Sequence, residues 1–240
     1  MNRFFAQKEG ESFLFSDETL FHIRSVLRLK KGESIEVVDA CSLYEGKISS
    51  LDPFLLSDIR KKEEKRESDL SLSIGFSLLK GGHDELVIQK GTEMGVKEFY
   101  PLLSRYSIIS LKSEKDRNKK SERFAKIALS SAEQSKRLSC PKVHEVRAFS
   151  DVLHEDYDHK YIAYELEAGK SLTLLKECLK FKKGERILIL VGPEGGWSIE
   201  EVAESQKYGF LPISLGRRIL RAESASIYCA SLLGAFGDES

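Results

Sequence analysis

Two glycine-bearing loops late in the chain constrain its fold more than any other feature. The first reads Leu190-Val191-Gly192-Pro193-Glu194-Gly195-Gly196-Trp197-Ser198 and the second Leu215-Gly216-Arg217-Arg218-Ile219-Leu220-Arg221-Ala222-Glu223. Each follows an apolar, strand-like run and precedes a helix-like run. That order belongs to an open α/β sheet, where ligands bind in the crevice outside the carboxyl ends of the strands. Two such loops predict one shared pocket, with Glu194, Arg217, Arg218, Arg221 and Glu223 around it.

The local chemistry of the first loop is explicit. Pro193 fixes one φ, while Gly195 and Gly196 permit positive φ, so the backbone can fold tightly with its amides inward. Ser198 and Glu201 have the spacing of a capping box, Trp197 and Val202 that of a hydrophobic staple, and Gly209 a helix stop. Neither loop has the G-x-x-x-x-G-K-[ST] or G-x-G-x-x-G spacing of a nucleotide-phosphate site. The second loop adds three arginines at a helix start, where the dipole disfavours cations. Arginines so placed serve another charge, such as phosphate or carboxylate.

The remaining pattern divides the chain in two. Residues 1–69 are β-rich, with strands predicted over Ser34–Asp39 and Tyr44–Ser49 and one helix capped by Ser16, its Leu20, Ile23, Val26 and Leu27 on one face. This mixture suggests a small barrel. The run from Arg60 to Asp69 has no apolar residue; it is a linker or an exposed hairpin, and the boundary is placed there. From 70 to 240 strands and helices alternate. Strands are expected over Leu70–Leu79, Phe99–Leu103, Lys160–Tyr164, Arg186–Val191 and Phe210–Ser214. Helices are expected over Asp84–Met94, Asn118–Leu138, Ser171–Leu179, Ile199–Tyr208 and Ala222–Phe236. Such alternation gives a mostly parallel sheet with helices on both faces.

Charge and composition narrow the function. The chain of 240 residues balances 38 Lys and Arg against 38 Asp and Glu, so it is not a generally basic protein. Between Leu78 and Arg147, however, fifteen Lys and Arg face nine Asp and Glu, which is either a basic patch or a solvated lysine-rich surface. Cys41, Cys140, Cys178 and Cys229 form no C-x-x-C pair, and no signal peptide is evident, which together point to a reducing, cytoplasmic setting. No apolar run approaches the ~20 residues of a membrane span. The five histidines, His22, His83, His144, His154 and His159, have neither i,i+4 pairing nor a nearby cysteine, so no metal site is expected and each is read as a surface or packing residue.

The two loops together closely resemble those of the RsmE family, the uridine-N3 methyltransferases of small-subunit ribosomal RNA in the SPOUT superfamily. The likeness runs along the chain. Arg3-Phe4-Phe5, His22 and Val26-Leu27-Arg28-Leu29-Lys30-Lys31-Gly32 resemble the family's N-terminal PUA-like barrel. Lys80, Gln89-Lys90-Gly91-Thr92-Glu93-Met94-Gly95-Val96 and Ala132-Glu133-Gln134-Ser135-Lys136-Arg137 resemble its central segments. Three positions depart from the usual pattern without changing size or polarity class: Trp197 for phenylalanine, Ser224 for threonine and Met94 for leucine.

The resemblance implies a PUA-like barrel over 1–69 and a SPOUT methyltransferase domain over 70–240, its C-terminal part threaded as a trefoil knot. Periodicity alone gives only an unknotted sheet. It further implies a homodimer that uses S-adenosyl-L-methionine, held among the knot loops, to methylate uridine N3 in 16S rRNA of the 30S subunit. Alternatives are another SPOUT enzyme acting on ribose or tRNA, or a non-catalytic ribosome-assembly factor. The expected cofactor-binding residues are Leu190, Gly192, Pro193, Glu194, Gly195, Gly196, Leu215, Gly216, Ile219, Leu220 and Ala225, though Glu194 also suits a plain turn residue. Arg221 is expected to hold phosphate or stabilise the uridine anion. Glu223 is expected to orient the base or the cofactor amine, or simply to complement a helix dipole. Candidates for RNA contact are Arg3, Arg28, Arg105, Arg123, Arg137, Arg217 and Arg218, with the Lys112–Arg123 cluster.

Overall fold

The structure is a computed structural model that describes residues 1–109, 111, 113–164 and 173–239. Lys112 and the first two residues of the helix expected from Ser171 lie outside the described residues. The chain forms two compact units, Met1–Glu67 with Ala132–Cys140, and Ser68–Ser131 with Pro141–Ser240. The sequence alone divides the chain at 69/70 and leaves 132–140 with the second part.

The first unit holds strands β1 (Asn2–Phe5), β2 (Gln7–Glu9), β3 (Ser12–Leu14), β4 (Ser34–Asp39), β5 (Ser42–Leu51) and β6 (Phe54–Lys62). β1, β4, β5 and β6 make a four-stranded sheet in that order, β1 parallel to β4 and the rest antiparallel, while β2 and β3 form a hairpin. Their core is Phe4, Phe15, Ile23, Ile35, Val37 and Ile48. Helix α1 (Asp17–Phe21) starts where expected, with Ser16 Oγ accepting from Thr19 N, and passes into a π-helical turn over His22–Val26. The wider helical turn breaks the expected face: Ile23 is buried, but Val26 and Leu27 are exposed. The apolar-free run begins as an exposed part of the β5–β6 hairpin, with Arg60–Lys62 ending β6, and beyond it Glu64 pairs with Arg3 and Glu67 with Arg137.

The second unit is a parallel sheet of seven strands: β7 (Ser71–Ser77), β8 (Glu98–Leu103), β9 (Lys142–Val143), β10 (Arg147–Ala148), β11 (His159–Ala163), β12 (Arg186–Val191) and β13 (Leu211–Ile213). Its order is β10-β8-β7-β12-β11-β13, with β9 paired to β8. The helices are α2 (His83–Glu93), α3 (Glu114–Gln134), α4 (Phe149–Val152), α5 (Leu174–Cys178), α6 (Ile199–Lys207) and α7 (Ala222–Glu239); the last residues of α3, from Ala132, count with the first unit. β12 shows why its sequence is apolar from Ile187 to Val191. Ile187, Ile189 and Val191 join a cluster with Val87 and Ile88 of α2, Phe124 of α3 and Cys229 and Leu233 of α7. Leu188 and Leu190 join the opposite cluster, with Val152 of α4 and Val202 of α6. A parallel strand covered on both faces loses the polar alternation of an exposed one.

A candidate cofactor pocket at the strand ends

β7, β12, β11 and β13 are neighbours, and their carboxyl ends open on one cavity of about 620 Å³. That volume is in the range of pockets that enclose a small cofactor. Among the described residues three loops wall it, one after β7, one after β12 and one after β13, with Ala163 and Tyr164 at the end of β11.

The loop after β12 is held by its own backbone. Gly196 N donates to Pro193 O at 3.0 Å, and Gly196 takes φ +71. Gly195 does not need positive φ; it is glycine because a Cβ there would stand 3.0 Å from Tyr106 Cβ. The capping box forms in both directions, Glu201 N to Ser198 Oγ at 3.1 Å and Ser198 N to Glu201 Oε2 at 2.9 Å. Trp197 and Val202 are buried in one cluster. The second loop turns at Gly216, at φ +127, where buried Ser214 Oγ accepts from Gly216 N at 3.1 Å and donates to Gly216 O at 3.0 Å. α7 follows at once, with Ala225 N donating to Arg221 O at 2.8 Å.

Of the predicted cofactor residues, Gly192, Pro193, Glu194, Gly195, Gly196, Leu215, Gly216, Ile219, Leu220 and Ala225 line the cavity, as do Arg218, Arg221 and Glu223. Leu190 does not. Its place within β12, between Gly75 and Ile162 of the flanking strands, sends its side chain into the α4–α6 cluster, and its neighbour Val191 reaches the wall instead. Arg217 is exposed beside the cavity but is not part of its lining.

The other arginines are dispersed. Arg3 and Arg137, expected to face RNA, are only 3% and 5% exposed. Burial makes a free guanidinium untenable, and each is committed to carboxylates inside the first unit: Arg3 to Glu36 and Glu64, Arg137 to Glu67. Arg105 and Arg123 are exposed and paired with Glu200 and Glu85, both at 2.8 Å. Arg28 is exposed, at φ +52.

Eight described wall residues are not among the expected site residues: Lys80, His83, Ala163, Tyr164, Val191, Trp197, Ser214 and Ala222. The first two belong to a third glycine loop, Lys80-Gly81-Gly82-His83, which leaves β7 with φ +68 and +80 at its glycines. The signal is the same one that marks the other loops. Lys80 N points to Glu194 Oε1 at 3.4 Å, and His83 Nδ1 is 3.4 Å from Glu223 Oε1. This histidine, read from sequence as a surface or packing residue, therefore ties one loop to another.

The lining suits a group with a flat apolar part, a cationic part and an anionic part. Val191, Leu220, Ala163 and Ala225 offer apolar contact, Glu194 and Glu223 offer carboxylates, and Arg218 and Arg221 make no ion pair among the described residues. Trp197 Nε1 is buried without a hydrogen-bond partner among the described residues. S-adenosylmethionine has all three parts, so the residues fit it.

The comparisons with known proteins decide the family. Residues 66–234 match the model of an RNA methyltransferase domain and 15–54 that of an RNA methyltransferase PUA domain. The ribosomal RNA small subunit methyltransferase E of Bacillus subtilis is 33% identical, covering 97% of this chain and 96% of its own length. The chain belongs to this methyltransferase family. The Mesomycoplasma hyopneumoniae enzyme of the same name is 30% identical over 95% of this chain and 96% of its own. The ribosomal RNA small subunit methyltransferase E of Neisseria gonorrhoeae, solved bound to S-adenosyl methionine, superposes with a TM-score of 0.85 at 25% identity, covering 98% of this chain and 97% of that one.

Proposed function

We propose that the chain transfers the methyl group of S-adenosylmethionine to N3 of a uridine in small-subunit ribosomal RNA. The observation that carries this is the cavity at four adjacent parallel strand ends, walled among the described residues by three glycine loops and edged by Arg218 and Arg221, which make no ion pair among those residues. The relatives' names and the donor-bound neighbour support the RNA and the cofactor. The reading includes a knotted C-terminal part, a homodimer, 30S rRNA as partner and a cytoplasmic setting; among the described residues no helix is long and apolar enough to cross a membrane.

When bound, the cofactor supplies an electrophilic methyl carbon on a positively charged sulfur. The chain's own residues do the rest. Backbone at 192–196 and 215–220 approaches closely because glycines leave no Cβ in the way. Glu194 and Glu223 would meet the cofactor's cationic groups, and Arg218 and Arg221 would meet its carboxylate, an RNA phosphate, or the charge that develops on the uracil imide. Holding donor and base in line accounts for up to ~7–11 kcal/mol of the barrier in favourable cases. The base must be unpaired to enter, as is usual for RNA read outside a helix.

The test is methyl transfer from S-adenosylmethionine to small-subunit rRNA lacking the modification, with mass spectrometry of the digested nucleosides. N3-methyluridine is the expected product. Label on ribose, on another base, or on no nucleoside overturns the assignment.

A further inference from the structure

We propose that His83 and Glu223 form a proton-accepting pair, in which His83 takes the N3 proton of the uridine and Glu223 steadies the charged imidazole. This rests on the N3-methyltransferase reading above, and it supplies what that reading lacks, a group able to remove the imide proton.

Both residues line the cavity, and Nδ1 of His83 is 3.4 Å from Oε1 of Glu223. Their exposure is unequal. The glutamate side chain is 13% exposed and the histidine 44%, so the ring stands between a sheltered carboxylate and open space. With Nδ1 turned to the carboxylate, Nε2 is the acceptor, since the hydrogen bond at one ring nitrogen sets the role of the other. The Cδ2–Nε2 edge lies beside Gly81, where a Cβ would make only ordinary contact, 3.4 Å from Cδ2 and 3.6 Å from Nε2. A separation slightly long for a hydrogen bond is usual before substrate tightens a site.

The pair is also held from both sides. Asp84, next to His83 and wholly buried, meets Lys120 Nζ at 2.9 Å, which fixes the start of α2 on α3. Gly234 lets α7, which carries Glu223, lie against the carbonyl of Met94 at the end of α2. Among the described residues the other charged groups facing the cavity are Lys80, Glu194, Arg218 and Arg221. Of these, none has a ring nitrogen or a carboxylate paired as His83 and Glu223 are.

The step balances. The N3–H proton passes to Nε2, the nitrogen lone pair bonds to the methyl carbon, and the carbon–sulfur bond breaks with its electrons left on sulfur. Positive charge leaves the sulfur and appears on the imidazolium beside Glu223. Solvent then takes the proton from the exposed ring.

The experiment compares wild type, His83→Ala and His83→Gln in N3-methyluridine formation, with S-adenosylmethionine affinity measured by calorimetry. We expect kcat to fall by about 10²–10⁴-fold in both variants, as for loss of a general base, with cofactor affinity within about twofold of wild type. Added imidazole is expected to restore part of the rate in His83→Ala in a saturable way and to leave wild type unaffected. Wild-type kcat in His83→Ala, a loss that imidazole does not relieve, or a lost cofactor affinity each overturns the proposal. Failure of the wild type itself to produce N3-methyluridine strikes the reading beneath it, so the two failures are distinct.

Discussion

Arg3 Nη2 lies 2.7 Å from Glu64 Oε2 while its Nε lies 3.0 Å from Glu36 Oε2, and the arginine side chain is 1% exposed. One guanidinium thus joins β1, β4 and the segment after β6, and it also donates to the Lys136 carbonyl. Breaking a buried pair costs about 3–5 kcal/mol, but here Glu36 keeps Lys136 at 3.3 Å and Glu64 keeps Arg66. Both carboxylates keep some solvent, so Arg3→Ala is expected near the lower end, about 3 kcal/mol. Arg3→Lys recovers little, because an ammonium cannot reach in three directions as a guanidinium fork does. Urea denaturation of the purified variants measures both.

That contact also marks where sequence reading stops. Elements whose cause is local were legible: β4 and β12 from their apolar runs, the Ser198–Glu201 capping box, and the ends of α2 and α6 at Gly95 and Gly209. The pairing of Arg3 with Glu64 spans 61 residues, and nothing local signals it, so the charged run from Arg60 reads as a linker or an exposed hairpin. The two-residue strands β9 and β10 are too short to carry a period. His83 escaped for another reason. No spacing rule links it to Glu223, because a parallel sheet brings loops together by strand order and not by sequence distance.

Glu133 makes the first unit sensitive to alkali. Burial drives its carboxyl up to about 7, with the Phe5 N–H only partly offsetting this. A folded value above the unfolded one means that the neutral acid is favoured by folding, so its contribution is present below the ordinary carboxylate range and lost as pH rises through about 7. Glu133→Gln mimics the neutral acid and keeps the acceptor for Phe5. We expect it to raise the melting temperature at about pH 8 by on the order of a few degrees and to leave it unchanged near pH 4. An equal effect at both values contradicts this account.

Glu67 works in the opposite sense. Burial opposes its ionisation, but hydrogen bonds from Arg137, Ser139 and the Leu138 N–H outweigh that and hold its carboxyl below the usual value. The unfolded chain then binds the proton more readily, so stability present near neutrality is lost as pH falls through the folded value. Denaturation midpoints measured from about pH 7 down to about pH 3 should fall for wild type. In Glu67→Gln that fall is shallower, because the group that titrates is gone.

Gly234 tests whether the His83–Glu223 geometry depends on helix packing. A Cβ at 234 would land on the Met94 carbonyl oxygen, which is backbone and cannot turn aside. Gly234→Ala must therefore push α7 away from α2, at about 1–3 kcal/mol for an overpacked contact. The expected result is lower stability together with a kcat loss larger than the loss of cofactor affinity. A variant as active and as stable as wild type would show that the two helices have slack.

Trp197 offers a direct report on the pocket, because it is the chain's single tryptophan and stands in the cavity wall. Its ring packs on Phe149 with centroids 4.9 Å apart, it is 4% exposed, and its Nε1 is buried without a hydrogen-bond partner among the described residues. Any ligand seated against residues 192–197 alters the surroundings of that indole, so titrating S-adenosylmethionine should change the emission with a single saturable dependence. Trp197→Phe abolishes the signal and removes a stranded donor whose burial costs about 1–3 kcal/mol. That gain roughly offsets the lost ring contact, and the variant should match wild type in ligand-free stability to within about 1 kcal/mol. An emission that stays constant while calorimetry detects binding would place the cofactor elsewhere. It would also remove the reason for assigning donor-binding roles to Gly192, Glu194 and Gly196.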